Sequence, residues 1–456
     1  MSLVIRNAGL ARGERVDVHC AGAKIARVES SPAAPQPVRA ATVPAEAAAE
    51  LDGTGRLLVP ALVIPDLHLD KAFFLAELLG RVEPEAARPG ADWARVWQPG
   101  SRHPLGRSGF ERAHGVPLSV VEAVAAGYTV DDVASRAERV VRMALAHGVR
   151  AIRAFADVAP AVGLTAIQGL LRVRERYRGV MRMQIGAFPQ WGLTDRQTVE
   201  LMDEALRQGA DVVGGIPWVE STPEATAGHV ATCFDLAERH DAPVHMLIDD
   251  TADPSSRTLE LLARHTEERG FHGRVCASNC VALAFYDRAY AGRIIESVAR
   301  AGITVVSNAH VNLIDAGALF PAPAPRTITL LRELHQGGVN VALGQDDVDD
   351  FYYPWGQADP LEVAFLASHA VPLYLPAGIA WLLETVTTNA ARAMGLAEDV
   401  YPYRITPGAP ADLALVGAPT WHQALQLRPA GRVLIASGRV VVETETATRF
   451  ARHSGT

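Results

Sequence analysis

At 456 residues, with 49% hydrophobic and 21% charged residues, the chain is too long for one small core and too apolar to be disordered; it suits one large domain plus an accessory domain. A net charge of −8 without a basic stripe argues against nucleic acid and anionic membranes as partners, and no run of about 18 apolar residues offers a membrane span. Four cysteines (Cys20, Cys233, Cys276, Cys280) without a CxxC pair predict reduced thiols, and the N-terminus lacks a charged-then-apolar export pattern, so the expected location is cytoplasmic.

In chain order, residues 2–56 read as short strands at 3–5, 16–19 and 25–28, followed by a loose Ala-, Pro- and Ser-rich loop over 29–50. From 57 to 350, short apolar runs alternate with amphipathic helical patterns. The runs are 57–65, 149–158, 180–189, 211–218, 242–248, 274–279, 304–310 and 340–346. Between them, 131–147 carries Val133, Ala137, Val140, Val141 and Leu145 on one face, and several helices end at a glycine (Gly148, Gly179, Gly209, Gly270, Gly302). Eight such units predict an α/β fold, a (β/α)8 TIM-type barrel rather than an open doubly wound sheet. No G-x-G-x-x-G follows the first run, against a dinucleotide fold. The stretch 80–120, with Trp93, Trp97, Pro99 and Pro104, is long for a strand–helix connection and predicts a lid over the barrel mouth. Strands at 412–416, 432–435 and 440–443 are expected to join the N-terminal ones in a small β-sandwich. The expected division is therefore 1–56 and 401–456 for the sandwich and 57–400 for the barrel.

Catalytic groups of such barrels gather at the C-terminal ends of the strands. After the first run stands Asp66-Leu67-His68-Leu69-Asp70-Lys71, where strand alternation sets Asp66, His68 and Asp70 on one side. The other ends carry Gln190 and Trp191, Trp218 and Glu220, His245, Ser278-Asn279-Cys280, Asn308 and His310, and Gln345-Asp346-Asp347. Histidine and carboxylate converging from the first, fifth and eighth strands are the donors a divalent ion needs.

These strings resemble the amidohydrolase superfamily, and within it the cytosine deaminase-like group, over nearly the whole chain. The resemblance is carried by 63–71, Gly186-Ala187-Phe188-Pro189-Gln190, 209–217, Val244-His245, 273–278, 305–308, 338–347, Thr387-Thr388-Asn389-Ala390-Ala391-Arg392 and 408–413. It implies a His-x-His pair on the first strand, where this chain has Asp66 first. It implies a proton-shuttling Glu three residues after the fifth-strand His, where Ile248 stands. A sixth-strand His is replaced by Asn279, a His before the eighth-strand Asp by Gln345, and a Pro-His-Phe-Glu string by Pro217-Trp218-Val219-Glu220. His68, His245 and Asp346 are retained.

An aliphatic Ile248 cannot move a proton, so cytosine deamination itself is not the expectation, although Asp249 or Asp250 could stand in for the missing Glu. The reading is a hydrolase for a carbon–nitrogen bond other than a peptide bond. It would act on a small cyclic amide, amidine or amino-heterocycle, with Asp346 as general base and Asp66 and His245 as further catalytic residues. Gln190, Trp191, Trp218, Asn279, His310 and Gln345 are the expected substrate contacts; His310 is also a candidate for the missing sixth-strand imidazole. Asp66, His68, His245 and Asp346 would hold one divalent metal, Zn or Fe, and a metal-free site is the alternative. Two other readings stand beside it: a metal-free lyase, isomerase or ring-opening enzyme using Asp66 and Asp346, and a non-catalytic small-molecule binder. Asp70 with Lys71 reads either as a substrate contact or as a structural ion pair, Tyr352 as part of an aromatic slot, and Asp347 as a support for Asp346. His114, His229, His240, His265, His272 and His335 read as solvated. The resemblance leaves room for a homo-oligomer without specifying one.

Overall fold

The chain enters through five strands, β1 (Ser2–Gly9), β2 (Arg15–Ala21), β3 (Lys24–Ser30), β4 (Ala49–Asp52) and β5 (Leu57–Pro60). It then runs through β6 (Leu62–His68), β7 (Val149–Asp157), β8 (Arg182–Phe188), β9 (Val212–Gly215), β10 (Val244–Ile248), β11 (Val275–Asn279), β12 (Thr304–Ser307) and β13 (Asn340–Leu343), and finishes with β14 (Leu413–Val416), β15 (Arg432–Ala436) and β16 (Arg439–Glu443). This computed structural model describes residues 2–11, 13–31, 49–75, 118–315, 325–350, 352–396 and 403–447. The lid expected over 80–120 lies outside the described residues as far as 117, as does most of the loop expected over 29–50.

Strands β6 to β13 are parallel and adjacent in chain order, with helices between them, as a (β/α)8 barrel requires. Parallel strands are covered on both faces, which is why these segments read as continuous apolar runs; every residue of β7 is buried. The ring closes between β6 and the turn after β13. There the Asp346 carbonyl accepts from the His68 backbone N–H, and the Asp66 carbonyl accepts from Gln345 N (2.9 Å) and Asp346 N (3.0 Å). The residues that close the barrel are therefore neighbours of the candidate catalytic groups.

The expected helix at 131–147 forms over Val130–Ala146. Thr129 caps it by accepting from Asp132 N, and Val133, Ala137, Val140, Val141 and Leu145 form its buried face. Gly302 ends the helix Arg288–Ala301 at φ +66°, a conformation that costs a side chain but not glycine.

One expectation changes. The run 57–65 is not one strand: Leu57–Pro60 pairs antiparallel with β14, and Leu62–His68 pairs parallel with β7. Hydrophobicity shows that both pieces are buried but not that the partner changes at Ala61, whose N–H reaches Asp412 O at 3.1 Å. The two chain ends meet in one sheet of order β16-β15-β14-β5-β1-β2-β3, with β4 beside β1. That sheet wraps its own core, in which Ile5, Val18 and Ile25 meet Leu58, Leu413, Leu415, Val433 and Ile435.

Candidate active site

Seven barrel strands deliver polar side chains to one buried region at the C-terminal mouth. Asp66 and His68 end β6, Gln190 follows β8, Trp218 follows β9, and His245 and Asp250 come from β10 and its exit. Ser278 and Asn279 end β11, Asn308 follows β12, and Asp346 follows β13. Asp249 (φ 47°), Asn279 (φ 67°) and Asp346 (φ 57°) are left-handed at these exits, a backbone cost that non-glycine residues bear when the surrounding structure demands it.

Two amides tie the carboxylates together. Asn308 Nδ2 lies 3.0 Å from Asp66 Oδ2 and 3.0 Å from Asp346 Oδ2. Asn279 Nδ2 lies 2.9 Å from Asp250 Oδ2 and 3.4 Å from Asp346 Oδ2, and Asn312 Nδ2 donates to Asp250 Oδ1 at 3.0 Å. Burial lifts all three acids. Asp66 rises to about 6, with Asn308, Ser278 and Arg153 holding it back. Asp250 rises to about 7 through burial and then the neighbouring Asp66. Asp346 goes well above the carboxylate range through burial, then Asp66 and Asp250. Three such groups cannot all ionise together, so the cluster holds protons near neutrality and has both an acid and a base to offer.

Behind this cluster stand two cations. Lys71 Nζ donates to Asp157 Oδ1 (3.0 Å) and Gln190 Oε1 (2.8 Å) and lies 3.3 Å from His68 Nδ1. Burial disfavours its charge, but Asp157, Asp70 and Asp347 outweigh that and raise its pKa. Arg153, buried inside β7, places Nη1 3.1 Å from His245 Nδ1 and Nη2 2.9 Å from Ala393 O. Burial and these cations push both histidines well below the usual imidazole range, so both are neutral. The 3.5 Å approach of His68 Nε2 to Asp346 Oδ1 is therefore not an ion pair.

The cavity in front of the acids has an empty volume of about 370 Å³, mouth included. Its polar lining is His68, Lys71, Gln190, Asp250, Asp346 and Asp347, and Trp218, Tyr352, Ile216, Leu247 and Val311 supply apolar walls. Of the expected substrate contacts, Gln190 and Trp218 line it. Asn279 sits just behind, between Asp250 and Asp346. Trp191 packs instead on Ala125, Ala159 and Val162. Gln345 and His310 pair with each other, side-chain nitrogens 2.9 Å apart, and neither is in the lining. Because Gln190 Oε1 accepts from Lys71, its amide NH2 is what remains for a ligand. Asp249 does not face the cavity: its carboxylate accepts from Thr258 N (2.9 Å) and Leu259 N (2.9 Å) and caps the helix Thr258–Glu268. Asp70 accepts from Asp157 N at 2.8 Å, and Lys71 joins it as part of a buried structural network.

His229 corrects the expectation of a solvated histidine. It is buried, holds Glu220 Oε1 at 2.8 Å and accepts from Ile216 N at 3.0 Å, so it and Glu220 brace the β9 exit. Arg153, which contacts His245, was not among the expected site residues. Two arginines, Arg150 and Arg153, inside a buried parallel strand were the signal, since guanidinium groups are rarely buried without a partner.

A metal is the cofactor implied by the resemblance. Donor atoms of Asp66, His68 and Asp346 lie within 4.8 Å of one another, close enough for one ion, and Asp66 Oδ1 and His68 Nε2 have no hydrogen-bond partner. His245 Nε2 lies 3.8 Å from Asp66 Oδ2 but is outside that group, with Ser278 Oγ in contact with both. The surroundings of the rings do not fit a metal held by imidazole. A ligating histidine normally gives its other N–H to an acceptor, whereas here a cationic donor faces each Nδ1.

The sequence profile described as "Amidohydrolase family" matches residues 100–442. A pterin deaminase from Rhizobium rhizogenes is 30% identical over 319 residues, covering 69% of this chain and 71% of that one. The crystal structure of a 5-methylcytosine deaminase from Klebsiella pneumoniae, liganded with phosphonocytosine, superposes with a TM-score of 0.82 at 29% identity, over 99% of this chain and 100% of that one. An N-isopropylammelide isopropylaminohydrolase from Burkholderia multivorans gives a TM-score of 0.75 at 27% identity, over 97% and 98%.

Proposed function

The chain belongs to the amidohydrolase family and is a hydrolase of carbon–nitrogen bonds other than peptide bonds; from that premise we propose that it acts on a small planar amino-heterocycle or cyclic amidine, releasing the exocyclic nitrogen as an amine. The observation that carries the reading is the set of three carboxylates, buried Asp66 and Asp346 and half-buried Asp250, held by Asn279 and Asn308 at one cavity. The relatives named above for pterin, methylcytosine and isopropylammelide support a ring-sized substrate.

In this mechanism Asp346, its charge supported by Asn279 and Asn308 and no longer repelled by Asp250 once that group holds a proton, takes a proton from water as the water oxygen bonds to the ring carbon bearing the amine. Protonated Asp250 gives its proton to the adjacent ring nitrogen. The proton on Asp346 then passes to the departing nitrogen, the C–N bond breaks as the hydroxyl gives its proton back to Asp250, and a ring carbonyl and free amine leave. Asp250 thus does what Ile248 cannot, from two positions further along the chain. Its value of about 7 suits a group that must donate and recover a proton near neutrality. Gln190, held by Lys71, orients the ring from the β6–β8 side through its amide NH2, and Trp218 and Tyr352 flank it. No step is assigned to a metal, because the imidazole environments do not fit one.

The test is amine release from a panel of aminopyrimidines, aminopterins, aminotriazines and cyclic amidines, with Asp346→Asn beside the parent. Turnover by the parent and a loss of about 10²-fold or more in the variant, on the order expected for a general base, is the supporting result. Ligands that bind parent and variant alike, with no amine from either, would leave only a binding protein. The separation of Asp66 (about 6) from Asp346 (well above) also favours a second reading, lyase or isomerase chemistry with one as base and one as acid. Incorporation of ¹⁸O from labelled water distinguishes hydrolysis from that route.

A further inference from the structure

We propose that Lys71 and Arg153 are positioning residues that hold His68 and His245 as neutral imidazoles protonated at Nε2, so that the β6 and β10 histidines serve as hydrogen-bond donors rather than as metal ligands. The proposal concerns the protein at rest and is independent of which ring is hydrolysed.

An arginine has N–H groups and no acceptor, so a ring nitrogen at hydrogen-bond distance from it must be the acceptor. Arg153 Nη1 is 3.1 Å from His245 Nδ1, and its Nε and Nη2 are engaged with Gln184 Oε1 and Ala393 O. His245 Nδ1 therefore carries a lone pair, and the single proton of the neutral ring is on Nε2.

The far side of the ring gives the same answer independently. His245 Nε2 is 2.5 Å from Ser278 Oγ, and Ser278 Oγ donates in turn to Asp66 Oδ2. A hydroxyl has one hydrogen. Having given it to Asp66, Ser278 can only accept from His245. The line Arg153–His245–Ser278–Asp66 thus runs in one direction from a fixed cation to a carboxylate, and reversing it would set a ring N–H against a guanidinium N–H.

Lys71 repeats the arrangement at His68. Its ammonium has three hydrogens and three neighbours to receive them, Asp157 Oδ1, Gln190 Oε1 and His68 Nδ1. His68 must accept at Nδ1, which leaves its proton on Nε2, an atom that has no hydrogen-bond partner and belongs to a residue lining the cavity. Asp346 Oδ1 stands 3.5 Å from that atom, and a neutral imidazole N–H on the cavity wall polarises a substrate oxygen or nitrogen without carrying a charge of its own. Coordination at either Nε2 would require the proton to move to an Nδ1 that faces a cation.

The test is a long-range ¹H–¹⁵N correlation spectrum of ¹⁵N-histidine-labelled protein, metal-free and then with one equivalent of Zn²⁺, with His68→Gln and His245→Gln assigning two rings among the 15 histidines. The expected pattern is Nε2–H for both rings in a roughly tenfold or greater excess, the ratio that one charge-assisted hydrogen bond sets, unchanged by zinc. Zinc bound elsewhere with those signals unmoved agrees with the proposal. An Nδ1–H pattern in either ring, or an Nε2 signal displaced by zinc, overturns it. Arg153→Lys should keep the His245 pattern and Arg153→Met should lose it. If the methionine variant does not fold, the parent and lysine spectra decide.

Discussion

Replacing Asp250 with asparagine should make the protein less active and more stable, with the gain in stability confined to neutral and alkaline pH. Burial beside Asp66 raises Asp250 from 3.8 to about 7, so the folded protein binds this proton more tightly than the unfolded chain does. The stability linked to that proton is complete below the unfolded value and is lost as pH rises through the folded one. Above about pH 7 the ionised group costs about 4 kcal/mol relative to the acid limit, at about 1.4 kcal/mol for each tenfold change. The Asp250→Asn side chain would carry no charge and escape this cost, but one of the two amides now donating to Asp250, from Asn279 at 2.9 Å and Asn312 at 3.0 Å, would lose its acceptor. That loss offsets about 1 kcal/mol. The variant should therefore be more stable than the parent by about 3 kcal/mol at pH 8, by under about 1 kcal/mol at pH 5, and by nothing near pH 4. Urea unfolding followed by circular dichroism at those three pH values measures the difference. With a turned-over substrate in hand, the rate should fall by about 10²–10⁴ and the limb of the pH profile near 7 should vanish. A variant that is destabilised at pH 8, or displaced equally at all three pH values, would refute the assignment of Asp250 as a raised acid.

Two further outcomes follow from the packing. Arg432 on β15 donates from both Nη atoms to the two oxygens of buried Asp359 at 2.7 Å, joining the terminal sheet to the helix Pro360–Ala370, which Asp359 caps. Asp359→Ala should cost about 3–5 kcal/mol by stranding the guanidinium. Burial works against the Asp359 charge, but Arg432 outweighs it and holds the pKa below 3.8. The stabilisation is thus complete above that unfolded value and lost as pH falls through the folded one, and a urea midpoint deficit that persisted unchanged below the folded value would contradict this. Gly344→Ala would drive a Cβ into Asn308 Oδ1 and set it 2.8 Å from Asp66 Cβ. Overpacking of this kind costs about 1–3 kcal/mol, and it should abolish turnover by moving the amide that ties Asp66 to Asp346; a variant with parental melting and activity would show that the tie is dispensable.

The barrel was legible because its signal is local and repeated. Eight apolar runs separated by amphipathic helices have few solutions, and the observed strands from Val149–Asp157 to Asn340–Leu343 fall within the runs read from the sequence. The division at Ala61 was not legible, since burial in either sheet selects the same residue types. The strand-end cluster was legible for the same reason as the barrel: Asp66, His68, His245 and Asp346 stand where apolar runs stop, and the fold brings them together.

What the sequence determined alone was thus the fold, the end of the barrel that carries the candidate site, and the departures that set Asp66, Ile248, Asn279 and Gln345 where the related group has other residues. Only the tertiary structure decided which of two adjacent aspartates faces the cavity, turning Asp250 inward and Asp249 onto a helix terminus. It also decided that Gln345 and His310 pair with each other, and that Arg153 and Lys71 stand behind the two histidines. The physical reason is that a site's chemistry depends on which donor meets which acceptor. Arg153 and His245 are 92 positions apart, and Ser278 and Asp66 are 212 apart. No local pattern records such a meeting; the closure of the barrel creates it.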